Sequence, residues 1–143
     1  MQYVLQTPLQ KSDLAPLKAG DTVLLSGVVY TARDAAHARM MELLDKGEEL
    51  PFPIEGAAVY YVGPTPERPG CAIGAAGPTT SGRMDAYTPR LLDLGLACMI
   101  GKGKRSEAVK QSVVKNGAVY LAAIGGAGAL MANSVQSCEI IAW

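Results

Sequence analysis

Three basic side chains stand where an α/β protein builds a site for a small anion. Arg33 lies in the first turn of the helix expected after the β-branched run 22–30, Arg83 ends the polar loop 78–83, and Lys102 sits between Gly101 and Gly103 after the apolar stretch 97–100. Ligands of open α/β sheets bind at such junctions of strand and loop. A helix N-terminus there attracts anions through its free N–H groups and macrodipole. A guanidinium clamps a carboxylate with two parallel hydrogen bonds, and glycines on both sides of Lys102 let the backbone approach a ligand closely. The set suits a small, multiply charged anion. Thr79 and Thr80 precede Arg83 in the same loop, and His37, the sole histidine, lies four residues after Arg33, on the same side of a helix. Each residue also has a plainer reading. Arg33 suits a solvated helix surface, and Arg83 suits a surface pair with Asp85 or Asp93. Lys102 with Lys104 suits an exposed turn, Thr79 and Thr80 suit a helix cap, and His37 suits a structural role.

The elements that would carry these residues can be read along the chain. Tyr3 to Thr7 is short and β-prone, and the run 22–30 reads as one long strand with a bulge at Gly27. Its near-continuous apolar character fits a strand covered on both faces. Ala36, Met40, Leu43 and Leu44 repeat at helical spacing, which predicts a helix over 32–46. Thr31 with Asp34 resembles the acidic form of a capping box at its start, and Gly47 stops it. Strands are expected over 57–62, 71–77, 97–100, 118–124 and 137–142. Helices are expected over 84–94, ended by Gly95, and over 107–116, capped by Ser106. Residues 63–70 form a rigid connection rich in proline and glycine, and 125–128 a small-residue turn. Strands alternating with helices make the class α/β.

Composition narrows the function. The 143 residues are 49% hydrophobic, and 13 Lys+Arg balance 13 Asp+Glu. One domain with one core is expected. A balanced charge argues against a broad grip on nucleic acid or an anionic membrane, and no apolar run approaches a membrane span. The start Met1-Gln2-Tyr3-Val4 carries no secretion signal, so a cytoplasmic protein is expected. Cys71, Cys98 and Cys138 are dispersed, which fits neither a disulfide framework nor an iron–sulfur ligand set. Gly101-Lys102-Gly103 is not a Walker A loop: Gly95 is one residue too distant, and Gly103 stands where Ser or Thr is required. Gly125-Gly126-Ala127-Gly128 lacks the later glycine of a dinucleotide fingerprint. No nucleophile elbow and no His-rich metal motif is present.

Leu25-Ser26-Gly27, then Thr31-Ala32-Arg33-Asp34-Ala35-Ala36-His37, then Gly77-Pro78-Thr79-Thr80-Ser81-Gly82-Arg83-Met84-Asp85, then Ile100-Gly101-Lys102-Gly103 occur in that order. Order and spacing resemble the iron–sulfur-dependent hydro-lyase family, specifically the β part of class I fumarate hydratase and L(+)-tartrate dehydratase. The resemblance runs from about Gly20 to the C-terminus, and the Gly77–Asp85 stretch is its most specific element. It implies a swivelling β/β/α domain with a mixed sheet core and flanking helices, occurring as a C-terminal domain or a separate β subunit. It implies a 4Fe–4S cluster held by a partner α subunit through three cysteines, with no metal ligand in this chain. An open iron would there act as a Lewis acid on the substrate's hydroxyl and carboxylate. Members of the family usually continue beyond the position of Trp143, so a chain truncated at its C-terminus is expected.

The resemblance also implies roles. Arg33, Arg83 and Lys102 match positions that hold carboxylates and stabilise charge as a proton leaves carbon. Thr79 matches the position proposed as the base, a role for which a hydroxyl needs nearby cations or an acidic partner. Asp34, His37 and Thr80 match supporting positions. Hydration of fumarate to L-malate is the reaction implied, with tartrate dehydration as the alternative and a homodimer or dimer of heterodimers as the assembly. A non-catalytic dicarboxylate-binding or structural module is the competing class. A phosphate- or nucleotide-binding reading rests on Gly101-Lys102-Gly103 alone.

Overall fold

The computed structural model describes residues 2–62, 80–122 and 141. Thr79, Cys71, Cys138, the expected strands 71–77 and 137–142, the connection 63–70 and the turn 125–128 lie outside the described residues. Among the described residues the strands are β1 (Gln2–Gln6), β2 (Thr22–Ser26), β3 (Tyr30–Thr31), β4 (Ala58–Tyr60), β5 (Cys98–Gly101) and β6 (Val119–Ala122). The helices are α1 (Lys11–Leu14), α2 (Asp34–Asp45), α3 (Thr88–Asp93) and α4 (Glu107–Asn116). β1 pairs with β2, and β3-β4-β5-β6 form a second sheet in that order. Every pairing among these strands is parallel. The α/β class is therefore as expected, although the described pairs include no antiparallel member of a mixed sheet.

Side-chain alternation along β4 and β5 creates the layers. Val59, Tyr61 and Met99 face the helices, packing with Met40 of α2, Leu91 and Leu92 of α3, Met84 and Leu96. Ala58 and Cys98 face the other way, toward Leu9 and Leu14, with Leu5 of β1 and Leu25 of β2 packed against them. Among the described residues the order is thus the β1-β2 sheet, the β3-β4-β5-β6 sheet, helices. Met40, Met84, Leu91 and Met99 are 0% exposed, and burying each contributes about 1.5–3 kcal/mol. The exposed Arg90–Asp45 pair contributes at most about 1 kcal/mol. Apolar packing holds α2 and α3 to the sheet.

Several local expectations differ from the structure for identifiable reasons. The run 22–30 is not one bulged strand: it breaks at Gly27, and its halves join different sheets. Gly27 has φ +102°, and a Cβ there would lie 3.2 Å from the backbone N and O of Thr7, so only glycine passes. Nor is β2 covered on both faces. It alternates exposed and half-buried residues, and among the described residues its one strand neighbour is β1. The start of α2 also differs. Thr31 remains in β3 and Ala32 N donates to Tyr60 O at 3.1 Å, which keeps the chain extended until Arg33, the N-cap, whose side chain makes no capping bond. Asp34 in the first turn complements the helix dipole instead. Finally, the helix expected over 84–94 is a 3₁₀ turn (Ser81–Met84) followed by α3. Pro89 has no N–H and its ring excludes a helical carbonyl at Asp85, so it is accepted only in the first turn.

The other elements follow their local signals. Ser106 caps α4, its Oγ accepting from Val109 N at 3.3 Å. β4, β5 and β6 occupy the three apolar runs expected to be strands.

Candidate functional site

Parallel strands end on one edge of the sheet, so the loops leaving them share one side. β3 leads to Arg33 and Asp34, and β5 leads to Lys102. The chain re-enters this edge at Thr80, which forms a parallel bridge with Lys102, and Ser81 N donates to Lys102 O at 2.8 Å. The 3₁₀ turn that follows carries Arg83 against the start of α2, where its Nη2 is ion-paired to Asp34 Oδ2. The segments around Arg33 and Arg83, 50 positions apart in sequence, thus meet above the end of the sheet.

The edge is electropositive. Arg33, Arg83 and Lys102 set three positive charges against one carboxylate, Asp34, and among the described residues neither Arg33 nor Lys102 has an acidic partner. Arg83 is 60% exposed at its side chain, so its pair with Asp34 holds it weakly and leaves the rest of the guanidinium fork toward solvent. Thr80 and Arg33 are exposed and Lys102 is half-buried. Such a surface can take an anion with more than one carboxylate.

His37 lies beneath it, 0% exposed. Its backbone N and its Nδ1 both donate to Arg33 O, at 2.9 and 2.8 Å. A carbonyl only accepts, so Nδ1 carries the proton; Nε2 is buried with no hydrogen-bond partner among the described residues. Asp34 Oδ1 is buried and unpartnered in the same way. Burial, with a smaller contribution from Arg105, holds the imidazole below its usual 6.5, against the opposing pull of the Arg33 carbonyl and Asp34. The two bonds make His37 a brace for the turn that bears Arg33. The unfolded chain takes up this proton first as pH falls. The stability linked to His37 is therefore fully present above about pH 6.5 and declines below it toward the folded value. Thermal midpoints should fall between about pH 7.5 and 5.5, and less steeply in His37→Asn, whose amide can still donate to the Arg33 carbonyl. Parallel profiles for the two proteins would remove His37 as the titrating group.

The surface pairs expected for Arg83 do not form. Asp85 belongs to Arg105, whose Nε donates to Asp85 Oδ1 at 2.7 Å, and Asp93 accepts from Asn116 at 3.0 Å. Sequence reading missed the support of the site. Ser81 and Tyr61 are 0% exposed and Arg105 is 7% exposed. Ser81 Oγ donates to Tyr120 OH at 2.6 Å, which donates in turn to Gly103 O at 3.0 Å. Nothing local separates a buried Arg105 from its exposed neighbour Lys104; 20 residues separate it from Asp85 in the chain.

The family model described as Fumarase C-terminus matches residues 1–143. The chain belongs to that family. Within the Fumarase C-terminus family it is similar to "Putative L(+)-tartrate dehydratase subunit beta" of Methanocaldococcus jannaschii, 38% identical over 142 residues, with 97% of this chain and 72% of that protein covered. It is 42% identical over 119 residues to "Fumarate hydratase class I, aerobic" of Escherichia coli, covering 82% of this chain and 22% of that protein. To "Fumarate hydratase 2" of Leishmania major it is 37% identical over 143 residues, 97% of this chain and 25% of that protein. The chain thus spans about a quarter or less of these two fumarate hydratases.

The described residues do not fit as holders of an iron–sulfur cluster. No group of three or more His, Cys, Asp or Glu among them is placed to bind a metal. Cys98, the cysteine among them, is 0% exposed in β5, and burial pushes its thiol up to about 12. A thiol so held is protonated at neutral pH and is not a reactive thiolate. Among the described residues no helix is long and apolar enough to cross a membrane.

Proposed function

We propose that this chain is the β component of an iron–sulfur hydro-lyase that reversibly hydrates fumarate to L-malate, acting with an α partner that holds a 4Fe–4S cluster. The observation that carries the reading is the convergence of Arg33, Arg83 and Lys102 on the carboxyl edge of a parallel sheet in a chain of the Fumarase C-terminus family. In this reading Arg33 and Arg83 hold the two carboxylates of the substrate. Lys102 stabilises the negative charge that develops as a proton leaves the carbon beside a carboxylate. Thr79 is essential to proton transfer, and Thr80, Asp34 and His37 keep the cationic loops in place. The single domain covers residues 1–143, works in the cytoplasm, and assembles as a homodimer or a dimer of heterodimers.

Tartrate dehydration is the second reading, favoured by the relative named as a tartrate dehydratase β subunit, most of whose length this chain covers. Malate and tartrate, the hydroxy-acids of the two reactions, differ by one hydroxyl group, and a site that hydrogen-bonds such a group rejects the analogue lacking it strongly.

The test is anaerobic fumarate hydration and tartrate dehydration by this chain co-purified with its candidate α partner after cluster reconstitution, with the chain alone as control. Turnover in the complex alone supports the β role, and the preferred substrate decides between the readings. A stable complex with an intact cluster that binds a dicarboxylate without turnover would replace both with a binding module. Thr79→Ala should lower kcat with KM changed little, as expected for a group acting in the transition state. Turnover that survives this change would place the base elsewhere.

A further inference from the structure

We propose that Arg105 is the positioning residue of this site, holding the turn that bears Arg83 against the loop that bears Lys102. The inference rests on the hydro-lyase reading above for its chemistry, and on geometry for its substance. Arg105 lies three residues after Lys102, and Asp85 two residues after Arg83. A bond between Arg105 and Asp85 therefore ties together the segments carrying the two cations.

The bond is one strand of a buried fork. Nε donates to Asp85 Oδ1 at 2.7 Å, Nη2 to Thr88 Oγ1 at 2.9 Å and Nη1 to Tyr61 OH at 3.2 Å. The guanidinium carbon lies 5.1 Å from the centre of the Tyr61 ring and 5.0 Å from that of Tyr120. The second oxygen of Asp85 accepts from Ser106 N at 2.8 Å, so the carboxylate grips the loop twice. A buried ion pair contributes little net stability, because desolvation offsets its Coulomb attraction. A guanidinium fork does supply a fixed geometry, which one ammonium on a flexible stem cannot.

That geometry matters because of where the other tie lies. Ser81 N bonds to Lys102 O at 2.8 Å, two residues before Arg83, and Asp85 is anchored two residues after it. With both ties the turn is fixed at each end. Without the second, the turn keeps the first tie and the buried side chain of Met84, and Arg83, whose ion pair among the described residues is the exposed one with Asp34, shifts about them. The Tyr61 ring also meets the His37 ring at 5.5 Å between centroids. The same network therefore reaches the residue that braces Arg33.

The test uses the assembled, cluster-reconstituted complex with Arg105→Lys, Asp85→Asn and Arg83→Ala. Arg105→Lys should lower kcat/KM by on the order of 10- to 100-fold through misplacement of binding groups. Most of that loss should disappear in an Arg83→Ala background, because residues acting through one another are non-additive. A loss of the same size in both backgrounds, or normal kinetics per folded site with only a lowered thermal midpoint, would overturn the proposal. Should Arg105→Lys fail to fold, Tyr61→Phe removes just the hydroxyl that Nη1 reaches, and the same cycle applies with a smaller loss. Hydrogen exchange of peptides spanning 80–86 and 103–107 is read on the same complexes and does not depend on turnover. Faster exchange in both peptides in Asp85→Asn supports the clamp, and unchanged exchange overturns it. If the wild-type complex turns over neither fumarate nor tartrate, the hydro-lyase reading fails, while exchange still decides whether Arg105 fixes the turn.

Discussion

Arg83→Ala should lower kcat/KM of the assembled hydro-lyase by about 10- to 100-fold, the equivalent of a charge-assisted hydrogen bond of roughly 1.5–3 kcal/mol. The stability of the chain should hardly change. Arg83 is 60% exposed and its partner Asp34 is 40% exposed at their side chains, and ion pairs of that kind contribute about 0–1 kcal/mol once solvent screening is counted. The separation of the two effects is the useful part. A residue built into the core would lose both quantities together, whereas a residue presented to a substrate loses activity alone. Arg83→Lys should recover part of the loss, because it restores the charge without the two-pronged carboxylate contact. Steady-state kinetics on fumarate and malate beside thermal midpoints would check this, and unchanged kinetics in Arg83→Ala would remove the residue from the site.

Gly101→Ala should damage the site from below. A Cβ at Gly101 would fall far inside contact distance of Ser81 Oγ and 2.8 Å from Tyr61 Cδ2. Neither neighbour can give way cheaply. Tyr61 is 0% exposed beneath the three loops, and Ser81 is held by its bond to Tyr120. Overpacking of this kind costs about 1–3 kcal/mol, which lowers the midpoint of a chain this size by roughly 3–10 °C. Ser81 would be pushed off Lys102, so activity should fall as well. The double variant Gly101→Ala/Ser81→Gly removes the nearest obstruction and should regain part of the midpoint. If Gly101→Ala alone is as stable and active as the parent, the close approach of the turn to β5 is not required.

Both predictions join residues that local patterns do not connect. The run Ala58–Tyr60, the apolar stretch at Cys98–Gly101 and the Ser106-capped helix Glu107–Asn116 were legible because their signals act within a few residues. Apolar runs favour strands, and a side chain that caps a helix bonds three residues on. The family motif was legible too, through the residue types at Arg33, Arg83 and Lys102. Where the local pattern misled, a contact from elsewhere in the chain had decided the matter. The run 22–30 carries one uninterrupted strand signal, yet Gly27, packed beside Thr7, turns at a φ of +102° that a side chain rarely adopts, and the two halves join different sheets.

The sequence by itself determined the α/β class, most of the parallel-sheet strands and the cationic residue types at the loops. These follow from periodicity, propensity and motif, which are properties of short segments. Only the tertiary structure decided that Arg83 meets Asp34, that Asp85 meets Arg105, and that Ser81, Tyr61 and Arg105 are buried supports. Partners 49 and 20 residues apart are chosen by which strands lie side by side. An arginine is paired and buried, or left free to hold a carboxylate, according to whether the folded chain surrounds it with acceptors and rings or leaves it at the open edge of the sheet.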